Sequence, residues 1–205
     1  LLTSAIMSLL AGGIHHGFDN VDFSLKSKDF KIALMLTIFG IIGVLIGVFL
    51  AVELPEDFLI AYIGLLVIFI GVVLILNHHK KHKFSWKRII GLGVIASINK
   101  GVTGGGYGSV LTGGQIAVGV DSKKAVGITA LTEGFICVVG FLAYLFIEGV
   151  SALNWSLIVS LLIGGVVSTP FAVYAVKKSK PKKLVLVVGV VSIILGALVL
   201  GKLFF

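Results

Sequence analysis

Ala96-Ser97-Ile98-Asn99-Lys100-Gly101-Val102-Thr103-Gly104-Gly105-Gly106-Tyr107-Gly108-Ser109 is the stretch on which the fold turns. It carries one charge, Lys100, and three consecutive glycines. Just before it, Ile89 to Asn99 offers 11 uncharged residues, too few for a bilayer crossing, which needs about 20. Gly101 to Val120 is long enough, but 8 of its 20 residues are glycine, and each costs ~1 kcal/mol relative to alanine inside a helix. Two half-helices meeting at Gly104-Gly105-Gly106 are expected instead. Such a re-entrant hairpin is tolerated only where protein or a water-filled cavity covers its free backbone groups.

The rest of the chain places this stretch in a membrane. Of 205 residues, 58% are hydrophobic and 13% charged, against roughly a quarter charged in soluble domains. The mean hydropathy is +1.15. Six uncharged or nearly uncharged segments are long enough to be crossings: Leu1–Phe18, Ile32–Val52, Phe58–Asn77, Ala125–Ile147 (with Glu133 inside it), Gly149–Val176 and Leu184–Gly201. The single cysteine, Cys137, excludes an internal disulfide and reads as a small core residue.

Charge then orients the segments. The net charge of +8 would suggest nucleic acid if it lay on a soluble surface, but 15 of the 17 basic residues sit in loops between greasy segments, so no nucleic-acid partner is expected. The basic loops 19–31, 77–88, 121–124 and 177–183 are expected in the cytoplasm of a multi-pass protein of the cell membrane. The loop at Glu53–Asp57 has three acids and no basic residue, and that at Glu148–Asn154 has none either. These loops alternate correctly only if Ile89–Val120 enters and leaves on one side, as a hairpin does.

Two halves of the chain look alike. Gly64 and Gly71 match Gly189 and Gly196 at an offset of 125, Asp22-Phe23-Ser24-Leu25 matches Asn154-Trp155-Ser156-Leu157, and Gly43 and Gly47 match Gly164 and Ser168. The matching loops carry opposite charge, so the halves are expected to cross in opposite senses, an inverted-topology repeat of the kind found in secondary transporters. The expected organisation is all-α: residues 1–76 as a first repeat lacking its hairpin, 77–88 as a basic linker and 89–205 as the second repeat. By symmetry, ~40–45 residues are expected ahead of Leu1 in the intact protein.

The residues at the break suggest anion chemistry. No Gly-Lys-Ser/Thr follows at phosphate-loop spacing, which argues against nucleotide binding. A half-helix starting at Tyr107 or Gly108 would aim its positive end into a cavity. Asn99, Lys100, Gly104, Gly105, Gly106, Tyr107, Gly108, Ser109 and Thr112 are the expected substrate-binding residues. Glu133, Thr129 and Ser4 are the expected coupling or supporting ones. Lys100 either neutralises an anion, snorkels to the surface or pairs with Glu133. Glu133 either carries a proton or is that structural partner. Thr132 and Gln115 offer further hydrogen bonds. His15-His16 and Asn77-His78-His79-Lys80-Lys81-His82 raise a metal, but adjacent histidines face apart on a helix and lysines repel cations, so no metal and no cofactor are expected.

Gly104-Gly105-Gly106-Tyr107-Gly108-Ser109-Val110-Leu111-Thr112, followed by Lys124-Ala125-Val126-Gly127, is similar to the glycine-rich signature of the TauE/SafE (sulfite exporter-like) permeases. Thr132-Glu133-Gly134-Phe135, His15-His16, Asn20-Val21-Asp22-Phe23, Leu54-Pro55 and Tyr62-Ile63-Gly64 resemble one branch of that family. Ser109 stands where that branch usually has proline, and the first-half glycine signature is absent. The resemblance implies a permease for small sulfur-containing anions such as sulfite, sulfonates or organosulfur acids. Its partners would be the anion and the lipid bilayer, with homo-oligomerisation left open. One repeat would rock against the other. The rival readings are an anion channel with the break as filter, a cation or metal permease using His15 and His16, and a membrane enzyme, for which no nucleophile–base set is visible.

Overall fold

The computed structural model describes residues 1–77 and 84–201. Residues 78–83, which hold three of the histidines and much of the basic 77–88 stretch, lie outside that set. Among the described residues the chain forms eight α-helices: α1 (Leu2–Gly17), α2 (Lys28–Glu53), α3 (Glu56–Asn77), α4 (Trp86–Thr103), α5 (Tyr107–Ala117), α6 (Ser122–Glu148), α7 (Trp155–Lys178) and α8 (Pro181–Gly201). A short 3-10 turn, Val150–Ala152, precedes α7.

Five helices, α2, α3, α6, α7 and α8, are long and apolar enough to cross a membrane. The sixth expected crossing, Leu1–Phe18, corresponds to α1, of which 16 residues are described; it is not among these five. Side chains set the starts of three helices. Ser27 accepts the Phe30 N–H ahead of α2, Asp121 accepts those of Lys123 and Lys124 ahead of α6, and Asn154 accepts that of Leu157 ahead of α7. In the loop before α2, the Ser24 backbone amide, and then its hydroxyl, hold the Asp22 carboxyl below the usual carboxylate range.

The core lies among α2, α4, α5 and α6, where Leu36, Val44, Ile89, Tyr107, Leu111, Ile128 and Ile136 are fully buried. Cys137 is buried there too, as expected of a small core residue. The outer faces carry Phe69, Leu76, Ile163, Phe171 and Leu198, all exposed. A soluble domain would not present so much contiguous apolar surface, whereas lipid covers it without cost.

Glycines bring the helix backbones together, as small residues do in membrane bundles. A Cβ at Gly43 would meet the Val94 carbonyl at 2.8 Å, one at Gly47 would strike the Ile98 carbonyl, and one at Gly101 would strike that of Val44. With Gly93 against Leu36 and Gly40 against Ser97, the residue order along this contact makes α2 and α4 parallel. On the other side Gly64 lies against Gly196, and Gly71 against Gly189, so α3 and α8 are antiparallel. Gly114 lies against Leu92, while Gly106 lies beside Asn99. α5 therefore folds back along α4.

Contacts between loops show where this hairpin begins and ends. The Lys28 ammonium lies 3.6 Å from the centroid of the Phe84 ring, just ahead of α4. Lys124 Nζ donates to Asp29 Oδ2 at 2.8 Å, and Lys123 Nζ to the Lys177 carbonyl. The starts of α2, α4 and α6 and the end of α7 thus share one end of the bundle, the basic end. Asp29 is the buried member of its pair, and it also accepts the Asp22 amide. Asp29→Ala, which loses both contacts, and Lys124→Ala, which strands a buried carboxylate, are therefore both expected to lower the melting temperature.

Candidate functional site

α4 stops at Thr103 and α5 starts at Tyr107, as the three glycines require. Gly104 has φ +67° and Gly106 φ +71°, left-handed values that cost other residues about 1–2 kcal/mol. A Cβ at Gly104 would touch nothing, so Gly104→Ala tests the backbone alone. The expected loss is about 1–2 kcal/mol in unfolding experiments, without a packing defect. Thr103 braces the turn: its hydroxyl donates to the Gly105 carbonyl and accepts the Gly105 amide. The first helical bond of α5 runs from the Val110 N–H to the Gly106 carbonyl, which leaves the N–H groups of the first turn directed out of the helix end.

Lys100, three residues before the break, is 3% exposed. Its Nζ donates to Glu133 Oε1 at 2.7 Å and, at the limit of hydrogen bonding, to Ser4 Oγ at 3.5 Å. Of the three alternatives open for Lys100, the structure shows the pairing with Glu133. The other carboxylate oxygen, Oε2, lies 3.7 Å from where a Cβ of Gly108 would stand. One negative group thus occupies the space between the Lys100 ammonium and the first turn of α5. Tyr107 and Cys137 are the other titratable side chains that feel this pair. The Tyr144 hydroxyl donates to the Gly101 carbonyl at 2.8 Å and pins the last turn of α4 to α6.

Asn99 is fully buried, and neither its Nδ2 nor its Oδ1 finds a hydrogen-bond partner. The Ser97 and Tyr107 hydroxyls, also buried, lie against each other. An unsatisfied side chain such as Asn99 close to a helix break departs from the usual pairing of buried polar groups.

Two cavities flank the break. The first, about 370 Å³, is lined by Ser8, Gly108, Ser109, Thr112, Thr129 and Glu133, with Val187, Val191, Ser192 and Leu195 of α8 opposite. Its walls come from the halves of α6 and α8 nearer the basic end. The second, about 540 Å³, is lined by Thr103, Gly105, Gly106, Gly108 and Ser109, with Ile60, Ile63 and Val67 of α3 and Leu195 and Val199 of α8. It opens toward the opposite end of the bundle. A third hollow, about 590 Å³ and nearly all apolar, lies between α3 and the α4–α5 hairpin with Arg88 at its edge. All three lie along the seam between the α3–α8 pair and the remaining helices.

The structure therefore gathers most of the expected residues. Gly108, Ser109, Thr112, Thr129 and Glu133 share one cavity, and Gly105 and Gly106 line the other. Lys100, Asn99 and Tyr107 sit behind these walls. Ser4 reaches only Lys100. Gln115 and Thr112 both hydrogen-bond Thr129, at 2.8 and 3.1 Å, and hold α5 on α6. Thr132 bonds back to the Ile128 carbonyl of its own helix. His15 accepts the Asn20 side-chain amide and His16 accepts the Phe23 N–H, so both brace the turn after α1. Sequence reasoning did not single out Ser8, Ser192 or Leu195. Ser8 lies one helical turn beyond Ser4, and that spacing was the one available signal.

A bundle of long apolar helices closed by glycine contacts, with a buried ion pair at a broken helix, defines a multi-pass α-helical membrane protein. Residues 1–199 match the family model described as Sulfite exporter TauE/SafE, and the chain belongs to that family. It is also 30% identical over 206 residues to the "Probable membrane transporter protein YtnM" of Bacillus subtilis (strain 168), an alignment that takes in 96% of the chain and 66% of that relative. The chain thus spans just under two-thirds of the relative's length. No solved structure matches it.

Proposed function

We propose that the protein is a secondary permease for small sulfur-containing anions, namely sulfite, a sulfonate or another organosulfur acid, with Glu133 coupling transport to protons. One observation carries this reading: the Glu133 carboxylate sits between the Lys100 ammonium and the first turn of α5. That position suits an anion on both sides, because the helix N-terminus favours negative charge as the lysine does. Glu133 is then a resident stand-in for the substrate. An incoming anion can engage Lys100 and the amides of Gly106, Tyr107, Gly108 and Ser109 only when Glu133 lets go. Protonation of Glu133 removes the competing charge, so a proton and an anion load together.

The other polar groups have roles consistent with this. Ser109, Thr112 and Thr129 offer hydroxyls to the anion's oxygens, Asn99 supplies unspent hydrogen-bonding capacity behind the break, and Ser4 receives Lys100 as it swings. The flexible backbone at Gly104 and Gly105 allows the cradle to close. The choice of sulfur rests on family membership; the site itself speaks only for a small anion.

The gathering of the basic loops at one end supports a cytoplasmic assignment for that end, and with it a hairpin that dips in from the cytoplasm. Gly64 against Gly196 and Gly71 against Gly189 is the contact an inverted two-fold repeat produces, since exchanging the matched residues maps each contact onto the other. The two halves nevertheless interlock, α1 on α6 and α2 on α4 and α6. Alternating access is therefore better served by sliding along the flanks of the α3–α8 pair, where the cavities lie, than by rocking one half against the other.

The test uses full-length protein in proteoliposomes, offered sulfite, thiosulfate, sulfoacetate, phosphate and chloride across an imposed pH gradient. Uptake of one sulfur anion should saturate and be driven by the proton gradient. Glu133→Gln, a permanently uncharged form, should bind the anion at high pH but lose the response to the gradient. Non-saturating flux indifferent to pH would instead identify a channel.

A further inference from the structure

We infer that Leu195 of α8, facing Gly108 and Ser109 of α5, is the barrier separating two vestibules of one permeation path; the inference deepens the transport reading above and rests on it. The two cavities beside the helix break have three lining residues in common: Gly108, Ser109 and Leu195. One cavity runs from these residues toward the basic end along Val191, Ser192 and Thr129, and the other toward the opposite end along Val67 and Val199. The residues they share stand where the cavities meet.

At that point one wall is polar and the other is a leucine. Gly108 has no side chain to fill the gap, and the Ser109 hydroxyl is turned to the Gly106 carbonyl of its own helix. Leu195 is therefore the bulk available to close it. Its backbone is held from the neighbouring position, because Gly196 abuts Gly64, and Gly189 abuts Gly71 two turns earlier. Its side chain is not locked into the core, being 52% exposed. An apolar side chain on a fixed backbone, set between two hydroxyl-bearing cavities, is suited to exclude water and ions by dewetting. When α3 and α8 slide, Leu195 moves with them past the α5 N-terminus and reseals whichever side has just closed.

The experiment measures passive iodide leak from liposomes holding the full-length protein, without any gradient of the transported anion. Leu195→Ser should raise the leak about tenfold or more by wetting the constriction, while Leu198→Ala, one turn on and outside both cavities, stays at the wild-type level. Leu195→Trp should stop transport by filling the gap where the two cavities meet. Should Leu195→Ser fail to give folded protein, Leu195→Ala carries the same leak measurement. A folded Leu195→Ser or Leu195→Ala protein as tight to iodide as wild type, or a Leu195→Trp protein that transports normally, overturns the assignment. The leak needs no knowledge of the substrate. A wild-type protein that moves none of the offered anions would sink the transport reading while the leak comparison still judges the barrier.

Discussion

Lys100→Ala is expected to abolish anion binding and to destabilise the protein by about 3–5 kcal/mol, the usual cost of stranding one member of a buried ion pair. Both effects have one origin. Lys100 is 3% exposed and Glu133 16% exposed in their side chains, and the two are held at 2.7 Å. Removing the ammonium leaves the carboxylate buried with only the end of α5 for compensation. The two consequences can be separated. Adding Glu133→Gln to Lys100→Ala removes the stranded charge, so the double variant should recover most of the lost thermal stability in detergent. It should not recover binding, measured by calorimetry with sulfite and sulfoacetate, because nothing replaces the cation. A double variant that binds every transported anion as tightly as wild type would eliminate Lys100 from the site. Glu133→Gln alone, which leaves a cation without a counter-charge, should bind an anion more tightly than wild type at neutral pH. This single result bears most directly on whether Glu133 occupies the substrate's place.

The second large effect concerns the scaffold. Gly47→Val is expected to prevent folding or to cost more than the ~1–3 kcal/mol typical of overpacking, because the new side chain would collide with the Ile98 carbonyl and with the backbone of Gly101 and Val102. Backbone cannot step aside as the tip of a flexible side chain can. Gly164→Val on α7 is the matched control, since a Cβ there would meet nothing within 4 Å. Size-exclusion profiles and melting curves of the two variants should differ sharply. If Gly47→Val were as well behaved as Gly164→Val, the close α2–α4 approach that positions Asn99 and Lys100 would be wrong.

Much of the architecture was legible because it depends on local chemistry. The spans at α2, α3, α6, α7 and α8 follow from uninterrupted apolar length. The end of α1 was less legible: the helix stops at Gly17, and Asn20 turns back to His15, a contact that hydropathy does not register. Among the site residues, the glycines announced themselves by number, while Ser8, Ser192 and Leu195 did not. A serine or leucine in an apolar helix looks the same whether it faces lipid, a neighbouring helix or a cavity.

By itself the amino-acid order determined where the chain had to break and which loops had to lie together. Glycine takes the left-handed turns at positions 104 and 106 without steric cost, and clustered lysines keep their loops out of the hydrocarbon. The partner of Lys100 was decided only by the tertiary structure. Snorkelling, a free anion and Glu133 were all open to a lysine at that position. The outcome depends on how α4 and α6 are each held against α2, which meets α4 backbone to backbone at Gly43, Gly47 and Gly101 and meets α6 where Gly140 lies against Val44.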